Sequence, residues 1–137
     1  FFGEAMRVLR PAGRLVSADI IPTAPVDGIR TSGAQRASWG LIARKFDIPR
    51  ANAYGREAYA DKLGAAGFAE IEVRSICDAV YAPLHLSLRA DPAPIRRLHP
   101  LVRPVLHAAL LMYPGRVYAG LDYVLARAFK PAGAREL

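Results

Sequence analysis

The sequence predicts one α/β domain of 137 residues in which helices and strands alternate. Two observations indicate this class. An apolar face with helical spacing precedes each of two predicted strands, and the first of these strands is almost continuously apolar. The contents of hydrophobic residues (53%) and charged residues (23%) are also typical of a globular chain. We therefore expect the order helix, strand, long connection, helix, strand, long connection, strand.

The first helix is predicted to end at Arg10, because Pro11 disfavours helical geometry in the residue before it. Its apolar face consists of four residues with helical spacing: Phe2, Ala5, Met6 and Leu9. A turn over residues 11–13 leads into a strand over Arg14–Ile20, expected to be central and covered on both faces. A type I turn would spare Ala12 the positive φ that a type II turn imposes.

Residues 28–46 are predicted to contain a second helix with Trp39 on its apolar side, followed by a loop over Asp47–Asn52. A third helix over Arg56–Ala66 is expected to stop at Gly67, because glycine readily adopts the left-handed conformation that ends helices. Alternating apolar and polar residues then predict a strand over Phe68–Ile76 with one face in water.

The segment 78–119 has a different character, because six prolines interrupt it. The stretch between Pro100 and Pro114 predicts a helix that is apolar almost all round. Leu121–Phe129 is predicted to be the last strand, and the chain from Lys130 onward a frayed tail.

A net charge of +7 and a pI near 10.1 invite a nucleic-acid interpretation, which the charge distribution opposes. The basic residues are mostly single arginines among apolar neighbours, so we expect no nucleic-acid partner. Because Cys77 is the one cysteine, it can form no internal disulfide, which favours a reducing, cytoplasmic location. We expect neither a signal peptide nor a membrane span, and no metal site.

Three segments together resemble class I S-adenosylmethionine (SAM)-dependent methyltransferases, in the small-molecule branch that includes the methyltransferase type 11 and ubiquinone-biosynthesis enzymes. They are the helix–turn–strand Arg7–Ile20, the helix-to-strand run Tyr59–Val73 with its Leu-x-x-Ala-Gly-Phe pattern, and Gly120–Ala126. They cover a quarter to a third of the chain, in the order that the family has.

The resemblance implies the C-terminal half of a Rossmann-like sheet, strands five to seven with the last antiparallel, as one partial domain over residues 1–137. The family binds SAM through a glycine-rich turn after its first strand, and this sequence contains no Gly-x-Gly. We therefore expect SAM to be the cofactor, its site to lie in an N-terminal half before Phe1, and the isolated chain to be inactive.

Ligands of open α/β sheets bind beyond the carboxyl ends of the parallel strands. Residues 22–54 leave the first strand at that end and are predicted to form a rim segment. The resemblance implies a short hairpin between the last two strands, whereas this chain has about 40 residues there. We therefore predict that residues 78–119 form a helical lid over a small, apolar or lipid-like methyl acceptor.

Asp19 and His85 are the catalytic candidates, because each could orient or deprotonate an acceptor. Trp39, Tyr54 and Tyr81 are candidates to line an apolar acceptor pocket. The alternatives are that Asp19 caps backbone amides, that His85 is a surface or packing residue and that the aromatic residues belong to the core. Cys77 is interpreted as a buried structural thiol. Methylation of oxygen, nitrogen or carbon stays open, as does the oligomeric state.

The alternative function is a basic membrane-surface or partner-binding module without catalysis of its own. Its basis is the apolar helix between Pro100 and Pro114, which has arginines in or near it and could make a peripheral membrane contact. These arginines are Arg96, Arg97, Arg103 and Arg116.

Overall fold

The computed structural model describes residues 1–23 and 32–133 and has a three-stranded sheet with helices on both faces. The predicted rim segment 22–54 therefore lies partly outside the described residues. The main elements are α1 (Phe2–Val8), β1 (Arg14–Pro22), α2 (Gly33–Lys45), α3 (Arg56–Ala65), β2 (Ala69–Ser75), α4 (Cys77–Ala90), α5 (Ala93–Arg96), α6 (Arg103–Leu110), α7 (Pro114–Val117) and β3 (Leu121–Phe129).

The strand order is β1-β3-β2, and β3 runs antiparallel to both of its neighbours. The strands β1 and β2 are therefore parallel to each other, and their carboxyl ends meet the start of β3 at one edge. Pro22 pairs with Leu121 there, and Ser75 pairs with Val124. We call this side of the molecule the carboxyl edge. The predicted antiparallel last strand is confirmed.

One face of the sheet packs against α1 and α3. Successive residues of a strand point to opposite faces, so Val124, Ala126 and Ala128 of β3 share this side and are almost fully buried. Tyr59 and Leu63 lie one helical turn apart on α3 and cover them. The predicted amphipathic pattern of α3 is thus the pattern that forms this core.

The opposite face is covered near the carboxyl edge by α2, α4 and α7. Its centre is formed by Trp39, Tyr81 and Leu121, each of which is less than one-tenth exposed. The Tyr81 ring stacks on Tyr118 with the ring centroids 4.7 Å apart, which joins α4 to the chain just before β3. The segment 78–119 is thereby fixed to the sheet by aromatic packing.

The prediction that the first strand is buried on both faces is wrong for the described residues. Only Ile21 and Pro22 of β1 are buried, and Val16 is 52% exposed. The physical reason is position. Within the described chain β1 is an edge strand, and the helices of the second face cover only its carboxyl end.

The turn after α1 also differs from the type I turn that would spare Ala12. The Gly13 N–H donates to the Arg10 carbonyl at 2.8 Å, and Ala12 has φ of 57°. A positive φ at the third position is the mark of a type II turn. Gly13 is required beside it, because a Cβ there would lie 2.6 Å from the Arg10 carbonyl oxygen.

Helix α2 begins with a capping box. The Ser32 hydroxyl accepts from the Gln35 N–H, and the Gln35 side chain accepts from the Ser32 N–H. Helix α3 stops as predicted, because Gly67 has φ of 94° and its N–H and that of Phe68 donate to the last carbonyls.

Lys130 is not part of a frayed tail. It is only 7% exposed, and its Nζ donates to the Met6 and Leu9 carbonyls at 2.9 and 2.8 Å. These carbonyls lie at the C-terminal end of α1, where the helix dipole favours a cation. Residues beyond 133 lie outside the described chain.

The segment 78–119 is helical, and its first helix begins one residue earlier, at Cys77. The apolar helix expected between Pro100 and Pro114 is shorter, because α6 spans only Arg103–Leu110. Pro104 stands in its first turn, where a missing N–H costs no hydrogen bond.

Candidate functional site

The carboxyl edge is where the topology directs a search for a site, because ligands of open α/β sheets bind beyond the strand ends. Three groups of side chains lie near it. They surround Asp19 in β1, the aromatic residues of α4, and Asp122 at the start of β3.

Asp19 lies beside two adjoining recesses of about 280 and 350 Å³, which share Asp19, Ile20, Phe46 and Ile48. We call the pair the Asp19 recess. The Asp19 Oδ1 accepts a hydrogen bond from the Ile20 N–H at 2.9 Å. Partial burial raises the pKa of this carboxyl, and the hydrogen bond from Ile20 opposes that rise.

Tyr54 lines the same recess, so the structure brings two of the predicted site residues together. Its ring lies 5.7 Å from the ring of Tyr59, and the Lys62 Nζ sits 4.4 Å from its centroid. Burial raises the pKa of the Tyr54 phenol. The hydrogen bond that Asp19 accepts from the Ile20 N–H is the contact expected if Asp19 caps backbone amides. The catalytic role of Asp19 and the substrate contact of Tyr54 stay predictions.

Trp39 and Tyr81 are placed together elsewhere, in the core of the second face. Burial raises the pKa of the Tyr81 phenol, whose hydroxyl has no hydrogen-bond partner among the described residues. Both rings are core aromatics in this arrangement, and acceptor binding by them stays a prediction.

His85 is fully buried between helices. Its Nε2 donates to the Leu110 carbonyl at 3.1 Å, which ties α4 to α6, and its ring meets Tyr118 edge-on at 6.0 Å. The Nδ1 atom has no partner in the described part of the chain. Because the ring is closed off from solvent, a role as base would need the α4–α6 contact to open, and that role stays a prediction.

Asp122 centres a polar cluster that the sequence analysis missed. This second residue of β3 is 6% exposed, and its Oδ1 accepts from the Ser75 hydroxyl at 2.6 Å and from the Cys77 thiol at 3.1 Å. Its Oδ2 lies 3.3 Å from the Arg56 Nε. The signal in the sequence was the one carboxylate of the last strand, Asp122, which stands near its start among mostly apolar residues.

Cys77 is held by the same cluster. Its sulfur accepts from the Tyr123 N–H at 3.1 Å, and burial is the main cause that raises the pKa of the thiol. A raised pKa keeps the thiol protonated at neutral pH, where a thiol is a weak nucleophile. The geometry therefore favours the interpretation of Cys77 as a structural thiol.

A groove of about 590 Å³ opens beside this cluster. We call it the Arg56 groove. It is lined by Thr23, Gly55, Arg56, Glu57, Ala58, Ala60, Val73 and Asp122.

The described residues do not fit a nucleotide-type cofactor by themselves. Such a site needs a glycine-rich turn that leads from a strand into a helix. The chain from β2 enters α4 through Ile76 and Cys77, without a glycine, and the sequence contains no Gly-x-Gly.

Within residues 1–23 and 32–133, no group of three or more potential metal ligands lies together. No helix in that part of the chain has the length and apolar character to cross a membrane.

The sequence is similar to a curated enzyme, erythromycin 3''-O-methyltransferase from Saccharopolyspora erythraea. The two are 38% identical over 87 residues, which cover 61% of this chain and 27% of the relative. No protein-family profile matches the sequence.

Solved methyltransferase structures share the fold. The phosphoethanolamine N-methyltransferase 2 of Haemonchus contortus, in complex with SAM, matches with a TM-score of 0.64 and 14% identity. That match covers 95% of this chain and 29% of the solved one. A protein described as a sarcosine dimethylglycine methyltransferase from Galdieria sulphuraria matches with a TM-score of 0.60 and 18% identity, over 96% and 46% of the two chains.

The chain spans less than half the length of each of these relatives. Within that span, the predicted α/β sheet with an antiparallel last strand agrees with the shared fold. The resemblance of this chain to part of a class I SAM-dependent methyltransferase is therefore confirmed in both sequence and fold.

Proposed function

We propose that the chain forms the acceptor-side wall of a SAM-dependent methyltransferase that acts on a small apolar or lipid-like molecule. In this proposal SAM is the methyl donor, and its glycine-rich turn comes from further sequence of a longer, cytoplasmic protein. The 137 residues alone are inactive.

The arrangement of strands at the carboxyl edge is the main support for this proposal. Two parallel strands and the start of an antiparallel third strand meet there, and that arrangement recurs in methyltransferases that match 95% or more of the chain. Methyl transfer from a sulfonium to an acceptor depends mainly on orientation and exclusion of water. A wall that orients the acceptor and a lid that excludes water would meet these two needs.

The Asp19 recess is the acceptor contact that we propose. Ile20, Phe46 and Ile48 give it apolar walls, and the carboxyl of Asp19 is its ionisable group. Partial burial raises the pKa of Asp19, which makes the carboxylate a better proton acceptor. In this proposal Asp19 orients or deprotonates the acceptor, and Tyr54 forms a wall of the recess that limits where the acceptor can lie.

The helices of segment 78–119 form the lid in this proposal. Leu121 and Tyr118, next to the end of the segment, pack with Tyr81 in the core on the opposite face of the sheet from α1 and α3. Trp39 and Tyr81 would then support the lid from beneath, and the buried ring of His85 would hold α4 against α6.

The test uses the polypeptide translated from the complete reading frame that contains these 137 codons. We would measure transfer of a tritiated methyl group from SAM to hydroxyl-bearing acceptors first, because the curated relative is by name an O-methyltransferase. Amines follow, because the Haemonchus contortus protein is by name an N-methyltransferase.

Asp19→Asn is expected to lower the transfer rate at least tenfold, within the range of general base catalysis. Asp61→Asn is the matched control, because Asp61 is exposed on α3 and lies outside the recess. Equal rates in the two variants would remove Asp19 from the mechanism. No transfer to any acceptor by a folded protein that binds SAM would contradict the acceptor class.

The surface of segment 78–119 favours a second candidate, contact with an anionic lipid surface. Leu101, Val105, Leu111 and Tyr113 are each more than 60% exposed. The segment carries five arginines and no lysine against Asp78 and Asp91. Exposed apolar side chains can insert into the interface of a membrane, and nearby arginines are attracted to its anionic lipids.

Sedimentation with vesicles of phosphatidylcholine and phosphatidylserine tests this candidate. Leu101→Asp is expected to reduce binding, whereas Leu41→Asp should not, because Leu41 is 55% exposed but lies on α2. Equal binding to vesicles of phosphatidylcholine alone, or equal loss in both variants, would contradict an anionic membrane contact through this segment.

A further inference from the structure

We propose that the Arg56 groove binds a neutral, hydroxyl-bearing group of a ligand, with Arg56 as its fixed donor. This inference concerns binding by the chain itself and does not depend on methyl transfer. The two proposals can therefore fail separately.

Arg56 is ion-paired at one edge of its guanidinium. Its Nε lies 3.3 Å from the Asp122 Oδ2; the Asp122 side chain is 8% exposed, while the Arg56 side chain is 53% exposed. The buried carboxylate therefore attracts the Nε edge of the guanidinium. Within the described residues the two Nη groups of Arg56 make no hydrogen bond. A guanidinium that is ion-paired at its Nε edge can offer both Nη groups as donors to a ligand.

Asp122 is itself held in place by two hydrogen-bond donors. Donors from the end of β2 and the start of α4, the Ser75 hydroxyl and the Cys77 thiol, meet its Oδ1. Removing a carboxylate from water is costly unless it is paired and hydrogen-bonded, and here both conditions are met. The anchor for Arg56 is thus formed by β3, β2 and α4 together.

The charge of the groove favours a neutral ligand. Arg56, Asp122 and Glu57 give it a formal charge of −1, which disfavours an anionic ligand. The guanidinium disfavours a cation. Hydroxyl groups both donate and accept, so they can satisfy Arg56 and Glu57 at once. Ala58, Ala60 and Val73 supply apolar surface for the carbon atoms of such a ligand.

The groove lies at the carboxyl edge. Thr23 follows β1, Arg56 is the first residue of α3 and Asp122 is the second residue of β3, so the polar end of the groove is at that edge. That is the edge at which open α/β sheets bind ligands.

The experiment is a set of NMR titrations of the 15N-labelled chain with three probes: methyl α-D-glucopyranoside, sodium acetate and ethylamine. The glycoside is expected to shift the Gly55 and Glu57 amide signals and the Arg56 Nε–H signal in a saturable way, at millimolar concentrations. Saturable shifts of these signals by acetate or ethylamine but not by the glycoside would overturn the proposal. So would the absence of any response.

Two variants test whether Arg56 is responsible for glycoside binding. Arg56→Gln should weaken glycoside binding about tenfold, the loss of one charge-assisted hydrogen bond. Arg127→Gln is the matched control, because Arg127 is also about half exposed and ion-paired, to Glu72 at 2.8 Å, yet does not line the groove. Equal affinity in both variants would overturn the role of Arg56.

Glu57→Gln covers the case in which Arg56→Gln fails to fold. Glu57 is exposed, and the hydrogen bonds and ion pair of Asp122 go to Ser75, Cys77 and Arg56, so this variant should fold. It removes the surplus negative charge of the groove, so acetate should then shift the Gly55 amide signal. Continued exclusion of acetate together with unchanged glycoside binding would contradict the charge argument.

Discussion

At the residue scale, the turn between α1 and β1 holds one residue, Ala12, in an unfavourable backbone conformation. Ala12 has φ of 57°, a conformation that a Cβ disfavours by about 1 kcal/mol. The sequence showed that the cost depends on the turn type, and it did not determine which type forms. The exposed position of Ala12 means that no packing is gained in return.

Ala12→Gly is therefore expected to raise the free energy of unfolding by about 0.5–1 kcal/mol, because glycine accepts a positive φ without strain. Gly13→Ala is the opposing control and should destabilise the chain, since its Cβ would meet the Arg10 carbonyl oxygen. Urea unfolding of both variants measures the effect. A destabilised Ala12→Gly variant would contradict the assigned turn.

Buried thiol and phenol groups make a second prediction at this scale. Burial raises the pKa values of Cys77, Tyr81 and Tyr118 above their ordinary values of 9.0, 10.0 and 10.0. The folded chain therefore keeps these protons to higher pH than the unfolded chain does. Stability falls wherever the folded state binds more protons, so it should be unaffected by these groups below about pH 8 and decline as pH rises above 9.

Tyr81→Phe should flatten this alkaline decline, as seen in urea unfolding at a series of pH values. Tyr113→Phe should leave the decline unchanged, because Tyr113 is 75% exposed. The same slope in both variants would show that burial of Tyr81 does not cause the pH dependence.

At the scale of elements, local patterns predicted most of what forms. Periodic apolar residues located α1, α3 and all three strands to within about two residues at each end. What they could not predict was contact between distant segments. Lys130 caps the carbonyls of Met6 and Leu9 across more than 120 residues, so nothing beside it in sequence marks it as buried.

Lys130→Met is expected to lower the free energy of unfolding by about 1–3 kcal/mol, because two helix-end carbonyls lose a charged donor. Lys45→Met, at the exposed end of α2, should change it by less than about 0.5 kcal/mol. Equal stabilities of the two variants in urea unfolding would contradict a capping role for Lys130.

At the scale of the whole molecule, the resemblance carried by the sequence predicted the antiparallel last strand. The sequence also placed the expected site at the carboxyl edge, because ligands of open α/β sheets bind beyond the ends of the parallel strands. It grouped the candidate residues less well. Asp19 and Tyr54 share a recess, whereas Trp39, Tyr81 and His85 lie in the interior of the opposite face. Asp122 escaped notice because its partners come from three different elements.

Calorimetric titration of SAM tests the central claim, that this chain is the acceptor-side part of a SAM-dependent methyltransferase. We expect no measurable binding to the 137-residue chain and micromolar binding to the polypeptide from the complete reading frame. Micromolar binding to the 137-residue chain alone, or no binding to either folded polypeptide, would contradict the account.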